Sequence, residues 1–217
     1  MNTAPPLWRH REDAGKALAL RFQHWDKPRE QTLLLALPRG GVPVAAAMAD
    51  ALGWPLACWS VRKVADPASP EVAIGAIAAG GVVVWRNGAS QGARDREAQA
   101  RRHGWLGLEE RELARRRDLF GDPEPQTLRG RHLVVVDDGI ATGMTVRAAL
   151  LSLRRCDPAS LTLAVPVVDR EVMGELNPLV DRLEALAVVD DLRAVGLWYG
   201  EFEQLTDQQV LALLLRA

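Results

Sequence analysis

Short apolar runs separated by stretches of helical character constrain the fold of this 217-residue chain most strongly. Each run is mainly apolar and about as long as one strand, which favours a buried strand. Strands that alternate with helices predict an α/β fold with a doubly wound, mainly parallel sheet covered on both faces. The runs are TLLLALP (32–38), HLVVVD (132–137), LTLAVPVV (161–168) and LEALAVV (183–189), with helices predicted at 143–155 and 169–176.

Spacing and turn residues predict the remaining elements. Residues 93–120 are rich in arginines interleaved with glutamates, which favours a solvated helix or helical pair over a nucleic-acid surface. The other predictions are an amphipathic helix over 8–25, a strand over 55–63, a loop over 64–70, a hairpin over 71–87 and a C-terminal helix capped by Thr206 or Asp207.

The overall charge of the chain limits which partners it can bind. The chain has 27 basic and 28 acidic residues and a formal net charge of −1, so it has no overall basic field for nucleic acid. Any anion site must therefore be built locally. No apolar run approaches the roughly 18 residues that a membrane span needs. The opening MNTAPPLWRHRED has no apolar signal segment, and we expect a cytoplasmic protein with no membrane partner.

The stretch LVVVDDGIATGMT (133–145) places two acids where a buried strand should end. Two unpaired carboxylates at that position cost Coulomb energy and desolvation energy. The hydroxyl groups of a sugar, a bound Mg²⁺ ion, or both would offset this cost, because Mg²⁺ prefers oxygen ligands. Asp137 and Asp138 are therefore candidate ligands for a sugar and for a metal.

The residues after the acid pair are small or carry hydroxyls. Gly139, Ala141 and Gly143 would let a ligand approach the backbone closely, and Thr142 and Thr145 add hydroxyl donors. A helix that begins near residue 143 directs free amides and its positive dipole end to the same place, which suits a phosphate monoester. The alternative is that Asp138 and Thr142 only cap this helix. One cap, however, leaves the paired charge unexplained.

This run resembles the phosphoribosyl diphosphate motif of type I phosphoribosyltransferases. The resemblance implies that Asp137 and Asp138 hold the ribose hydroxyls and Mg²⁺. Gly139 departs from the family pattern, which usually has an aliphatic residue there, and Ala141 disfavours 6-oxopurine acceptors. The resemblance also implies that the turn binds the 5′-phosphate through Gly139, Ile140, Ala141, Thr142, Gly143, Met144 and Thr145.

Other segments resemble further parts of that family. LPRGG resembles its pyrophosphate loop, which implies that Arg39, Gly40 and Gly41 bind the diphosphate. In that family a cation at the position of VRK (61–63) often reaches the diphosphate. Lys63 is the candidate for this role, because Arg62 is more simply explained as a solvated residue. Residues 64–74 then correspond to a loop that closes over the sugar. In the segment that resembles the family's hood, Arg193 and Trp198 are candidates for contact with a base.

The resemblance implies one phosphoribosyltransferase-like domain over 1–217, with a helical insertion at 93–120 and a small C-terminal hood and helix over 177–217. The expected reaction transfers phosphoribosyl to an acceptor nitrogen, with Mg²⁺ as cofactor and release of pyrophosphate. We allow for a homodimer. Two alternatives stay open: a non-catalytic sensor that binds phosphoribosyl diphosphate or a nucleotide, and a hydrolase or phosphotransferase that acts on another phosphate ester.

Overall fold

A computed structural model describes residues 6–66, 69–86 and 91–216 of the chain. The helices are α1 (Arg11–Ala19), α2 (Gly41–Leu52), α3 (Gln91–Arg102), α4 (Trp105–Phe120), α5 (Met144–Arg154), α6 (Arg170–Leu176) and α7 (Asp207–Leu214). The strands are β1 (Thr32–Ala36), β2 (Leu56–Cys58), β3 (Val61–Asp66), β4 (Ser69–Ala78), β5 (Val82–Trp85), β6 (His132–Val136), β7 (Ser160–Asp169) and β8 (Arg182–Val189).

In the described part of the chain, five strands form a parallel sheet in the order β2-β1-β6-β7-β8. The order reverses between β1 and β6, which are direct neighbours although they lie far apart in the sequence. Ligands of such sheets bind beyond the carboxyl ends of the strands at this kind of reversal. The prediction of a mainly parallel α/β sheet is confirmed, and the two strands that end in candidate site residues are adjacent.

Alternating side chains of the sheet bury two separate cores. Leu35, Leu133 and Val135 point to the face covered by α5 and by a second sheet. Leu34 and Val134 point to the opposite face, which α1, α2 and α7 cover. Because both faces are covered, the central strands are apolar throughout, as their sequences predicted.

The second sheet differs from the prediction for residues 55–70. It is antiparallel, with the order β3-β4-β5, and PLACWSVRK contributes β2 to the main sheet and β3 to this one. One continuous strand over 55–63 was therefore wrong, because the chain changes sheet at Trp59 and Ser60. The loop over 64–70 was also wrong in its described part, since β3 and β4 pair there; Pro67 and Ala68 lie outside the described residues. The hairpin with VVVW as its second strand is confirmed.

The charge-rich segment is a pair of helices, α3 and α4. Gly104 separates them with a left-handed backbone (φ 78°), whereas Gly107 lies inside α4. Leu106 and Leu113 are buried against the second sheet. Phe120 reaches the core beneath α2. The seven-residue spacing of these side chains therefore marks the buried side of the helix.

The two ends of the chain lie against each other and against the main sheet. The amides of Gly200 and Glu201 donate to the carbonyls of Trp8 and Arg9, each at 2.8 Å. β8 of the C-terminal region is the edge strand of the main sheet, and α7, capped by Thr206, packs on α2. None of the described helices is long and apolar enough to cross a membrane.

A buried carboxylate fixes the end of α4 to the point where the chain changes sheet. Asp122 accepts hydrogen bonds from the Ser60 amide at 2.6 Å and from Ser60 Oγ at 2.9 Å. Burial raises the pKa of Asp122 to about 6, although these hydrogen bonds act in the opposite direction. The carboxylate of Asp122 thus links the end of α4 to Ser60.

We expect Asp122→Asn to flatten the dependence of stability on pH. The folded protein binds the Asp122 proton more tightly than the unfolded chain, whose aspartates titrate near pH 4, so the free energy of unfolding should fall as pH rises from about 4 to about 6. The two-unit shift corresponds to about 3 kcal/mol at most. Urea unfolding at several pH values should show this slope in the unmodified protein and in a control carrying the exposed substitution Asp50→Asn. If Asp122→Asn showed the same slope as the unmodified protein, the raised pKa would not belong to Asp122.

Candidate functional site

A cavity of about 490 Å³ opens at the carboxyl ends of β1 and β6. It lies between the loop after β1, the loop after β6 and the second sheet. Most of the residues singled out from the sequence meet there. Those that line the cavity are Arg39, Gly40, Lys63, Asp137, Asp138, Gly139, Ile140, Ala141, Thr142, Gly143 and Thr145.

The acid pair follows β6 directly and lies on the cavity wall. Asp137 Oδ1 accepts a hydrogen bond from the Asp138 amide at 2.9 Å. Burial, and then the charge of Asp138, raise the pKa of Asp137 well above its ordinary value, while Lys63 and Arg11 act in the opposite direction. Burial also raises the pKa of Asp138. The ionised pair is thus costly by itself, and a cation or a hydroxyl donor in the cavity would stabilise it.

Arg11, at the start of α1, is a site residue that the sequence reasoning missed. Its Nε donates to Asp138 Oδ2 at 2.8 Å, and both side chains are close to nine-tenths buried. The position was detectable in part, because Arg11 shares the buried stripe of α1 with Ala14 and Leu18. A charged residue on an apolar stripe needs a buried partner, but the spacing does not identify that partner.

The turn after the acid pair lines the cavity and contains unpaired backbone amides. Within the described chain, the backbone amides of Gly139, Ala141, Thr142 and Gly143 have no hydrogen-bond partner. α5 begins directly afterwards, and no side chain caps its N-terminus. The capping roles considered for Asp138 and Thr142 are therefore absent from this helix start. Free amides and the helix dipole favour an anion here.

Two glycines allow this turn to fit against its neighbours. Gly143 has a left-handed backbone (φ 68°), and a Cβ there would meet Val172 at 2.6 Å. A Cβ on Gly139 would meet Val195 at 2.6 Å. Gly139, which stands where the family usually has an aliphatic residue, therefore leaves space for Val195 on the cavity wall. Ile140 joins the turn to β7, because its amide and carbonyl both bond to that strand's backbone.

Two cations line the cavity from different elements. Lys63 of β3 lines the cavity and is exposed, and its charge lowers the pKa of both aspartates. Arg39 lines the cavity from the loop after β1 and lies 3.7 Å from Asp207 Oδ1 of α7. Arg62, for which a solvated role was expected, instead forms a partly buried ion pair with Glu109 at 2.8 Å and does not line the cavity.

The two glycines after Arg39 serve the approach of α2 to the end of β6. A Cβ on Gly41 would come within 2.5 Å of the Val136 carbonyl oxygen. A Cβ on Gly40 would lie 2.1 Å from Asp138 Oδ2, although Gly40 has an ordinary helical backbone (φ −62°). Gly40 therefore leaves space for the Asp138 carboxylate, and Gly41 contacts the strand end rather than the cavity.

Besides Gly41, three further residues singled out from the sequence lie away from the cavity lining. The Met144 side chain is buried in the core beneath α5. Arg193 is exposed and pairs with Asp191 at 3.0 Å, and Trp198 lies in the segment that bonds to residues 7 and 8. The C-terminal wall of the cavity is formed instead by Val195, Phe202, Gln204 and Leu205.

The acid pair can serve as a partial ligand set for Mg²⁺. In the described ranges no group of three or more His, Cys, Asp or Glu side chains could hold a metal. Two carboxylates that are destabilised by burial nevertheless suit a hard cation that keeps several waters and takes its other ligands from a phosphorylated substrate. The donor chemistry therefore fits Mg²⁺ bound together with such a substrate.

Comparison with known proteins gives the family. The model of the phosphoribosyl transferase domain matches residues 10–183, which include the acid pair and the turn after it. The chain belongs to this family. Two Mycobacterium tuberculosis relatives, named "Putative phosphoribosyl transferase MT0597" and "Putative phosphoribosyl transferase Rv0571c", are each 37% identical over 97% of the chain. That match covers 47% of each relative, so the chain spans about half the length of these curated proteins.

Solved structures extend the likeness to the fold. The crystal structure of TT1426 from Thermus thermophilus is 35% identical and has a TM-score of 0.73, covering 96% of this chain and 98% of that one. AQ2163 from Aquifex aeolicus has a TM-score of 0.55 at 10% identity, covering 86% of this chain and 78% of that one. The second likeness concerns the fold alone.

We expect Gly40→Ala to weaken binding of ribose 5-phosphate without loss of the fold. The added methyl group would displace the Asp138 carboxylate, and loss of one hydrogen bond to a charged group corresponds to a weakening of about tenfold or more. Gly174→Ala is the matched control, because a Cβ at that helical position meets nothing within 4 Å. Calorimetric titration measures both affinities, and equal affinity in the two variants would argue against this role of Gly40.

Proposed function

We propose that this protein binds phosphoribosyl diphosphate with Mg²⁺ and transfers its phosphoribosyl group to an acceptor nitrogen, with release of pyrophosphate. The observation that carries the proposal is that one cavity joins two destabilised carboxylates to unpaired amides at the start of α5. A sugar diol suits the first feature and a phosphate monoester suits the second.

The cavity suggests where each part of that substrate binds. Asp137 and Asp138 would accept hydrogen bonds from the ribose hydroxyls. The amides from Gly139 to Gly143, with the hydroxyls of Thr142 and Thr145, would hold the 5′-phosphate. Arg39 and Lys63 line the same cavity, and their charges suit the diphosphate.

The proposed reaction depends more on stabilising the pyrophosphate leaving group than on a strong base. The bond between C1 of ribose and the diphosphate oxygen breaks, its electrons leave with pyrophosphate, and a bond from C1 to the acceptor nitrogen forms. Arg39 and Lys63 would stabilise the negative charge that grows on the leaving oxygen, while the acid pair holds the sugar that becomes positively charged. The acceptor proton is released to solvent, since Ala141 offers no basic side chain.

Mg²⁺ would be held by Asp137 and Asp138 together with oxygens of the substrate, and would supply charge neutralisation for the diphosphate. The protein's own residues keep the reacting parts close together, which lowers the entropic part of the barrier. For the acceptor class we favour a nucleobase other than a 6-oxopurine, following Ala141. The cavity wall available to it contains Val195 and Phe202.

We expect Asp138→Asn to weaken phosphoribosyl diphosphate binding by more than about tenfold, because a charged hydrogen-bond acceptor for the ribose is lost. Calorimetry in the presence of Mg²⁺ measures the affinity, and far-ultraviolet circular dichroism checks the fold. Unchanged affinity would contradict the ribose assignment. The matched assay follows pyrophosphate release with a panel of nucleobases. Phosphate as the product would indicate a hydrolase, and binding without turnover of any acceptor would indicate a sensor.

We expect Arg39→Ala to weaken phosphoribosyl diphosphate binding more than ribose 5-phosphate binding, because only the first ligand carries the diphosphate that Arg39 would contact. A difference of about tenfold between the two losses is expected for a charged hydrogen bond. Arg62→Ala, which removes an arginine paired with Glu109 outside the cavity, is the control. Equal losses for both ligands would place the diphosphate elsewhere.

A further inference from the structure

Arg11 has an arrangement of contacts that goes beyond a single ion pair. Its Nε donates to Asp138 Oδ2, and its Nη1 donates to the Glu203 carbonyl oxygen at 3.0 Å. Its guanidinium carbon lies 3.7 Å from the centre of the Phe202 ring. A planar cation held by two directional hydrogen bonds and an aromatic face has its orientation fixed.

The contacts of Arg11 leave one oxygen of Asp138 available to a ligand. Oδ2 is taken by Arg11, whereas Oδ1 accepts no hydrogen bond from another side chain in the described part of the chain. The Gly40 backbone lies against the same carboxylate, so close that a Cβ there would meet both oxygens within about 3 Å. Arg11 on one side and Gly40 on the other thus restrict the rotation of this carboxylate on the cavity wall.

The backbone of Asp138 is held by the same part of the structure. Tyr199 Oη donates to the Asp138 carbonyl oxygen at 2.6 Å. Tyr199 also stacks on Phe202, with ring centres 5.1 Å apart. The C-terminal segment therefore restrains both Asp138, through Tyr199, and Arg11, through Phe202 and Glu203.

We infer that Arg11 is a positioning residue for the sugar: it orients Asp138 so that Oδ1 receives one ribose hydroxyl, and thereby confers selectivity for the intact diol. The inference rests on the proposed function. Arg11 lines the cavity, and the role assigned to it is exerted through Asp138. The ligand class that depends on it is a ribose 5-phosphate with both hydroxyls present, and phosphate alone does not depend on it.

The experiment separates the diol from the phosphate by the choice of ligand. Calorimetry measures binding of ribose 5-phosphate, of its 2-deoxy and 3-deoxy analogues, and of inorganic phosphate. The unmodified protein should prefer ribose 5-phosphate over each analogue by about tenfold, the range for a hydrogen bond to a charged group. In Arg11→Met the preference over one analogue should fall to about twofold or less, while affinity for inorganic phosphate should stay unchanged.

Two further variants make the result interpretable. Arg62→Met removes another partly buried arginine ion pair, outside the cavity, and should keep the full preference. Arg11→Lys should show an intermediate preference, because an ammonium group can pair with Asp138 but cannot also lie over Phe202 and reach Glu203. If Arg11→Met does not fold, Arg11→Lys decides, and an undiminished preference there overturns the positioning role.

The outcomes distinguish this inference from the proposed function. Equal affinity of the unmodified protein for all three sugars would overturn the ribose assignment, and the role of Arg11 with it. A full preference retained in folded Arg11→Met would overturn the role of Arg11 alone. Equal losses for the sugars and for inorganic phosphate in Arg11→Met would show that Arg11 supports the structure of the cavity in general, and would also overturn the inference.

Discussion

The repulsion between two adjacent carboxylates at the end of a buried strand is the constraint on which the site depends. Asp137 and Asp138 are partly withdrawn from water, and burial raises the pKa of both. An ionised pair in that position needs nearby positive charge, which Arg11 supplies by direct contact and Lys63 from across the cavity. The arrangement leaves the remaining carboxylate oxygens available to hydroxyl groups or to a cation bound with the substrate.

The topology of the main sheet brings the anion-binding features to that pair. β1 and β6 are hydrogen-bonded neighbours from Thr32 and His132 to Ala36 and Val136, so their loops emerge side by side. The loop after β1 carries Arg39 and leads into α2, and the loop after β6 leads into α5. Helix N-termini and cations therefore converge on one edge of the sheet, where parallel α/β proteins generally bind ligands.

Several residues of the cavity wall come from elements outside the main sheet. β3 of the antiparallel sheet contributes Lys63, and the C-terminal segment contributes Val195 and Phe202. The N-terminal helix contributes Arg11, which is held in turn by Glu203 and Phe202. Asp207 of α7 pairs with Arg39 and also with Arg115 of α4, so α4 is connected to the site by charge. The phosphoribosyl transferase motif is thus completed by residues from both ends of the chain.

The sequence by itself determined the main strands, the acid pair, the small turn and the two loops at the carboxyl edge. These are local features, because strand periodicity, helix starts and close backbone approach depend on neighbouring residues. Only the tertiary structure decided that residues 55–70 divide between two sheets, that Arg193 and Trp198 lie away from the cavity, and that Arg11 holds Asp138. The last pair is 127 residues apart, and no local pattern encodes which buried charge meets which. That choice depends on how the packed chain ends compensate a charge that would otherwise be unpaired.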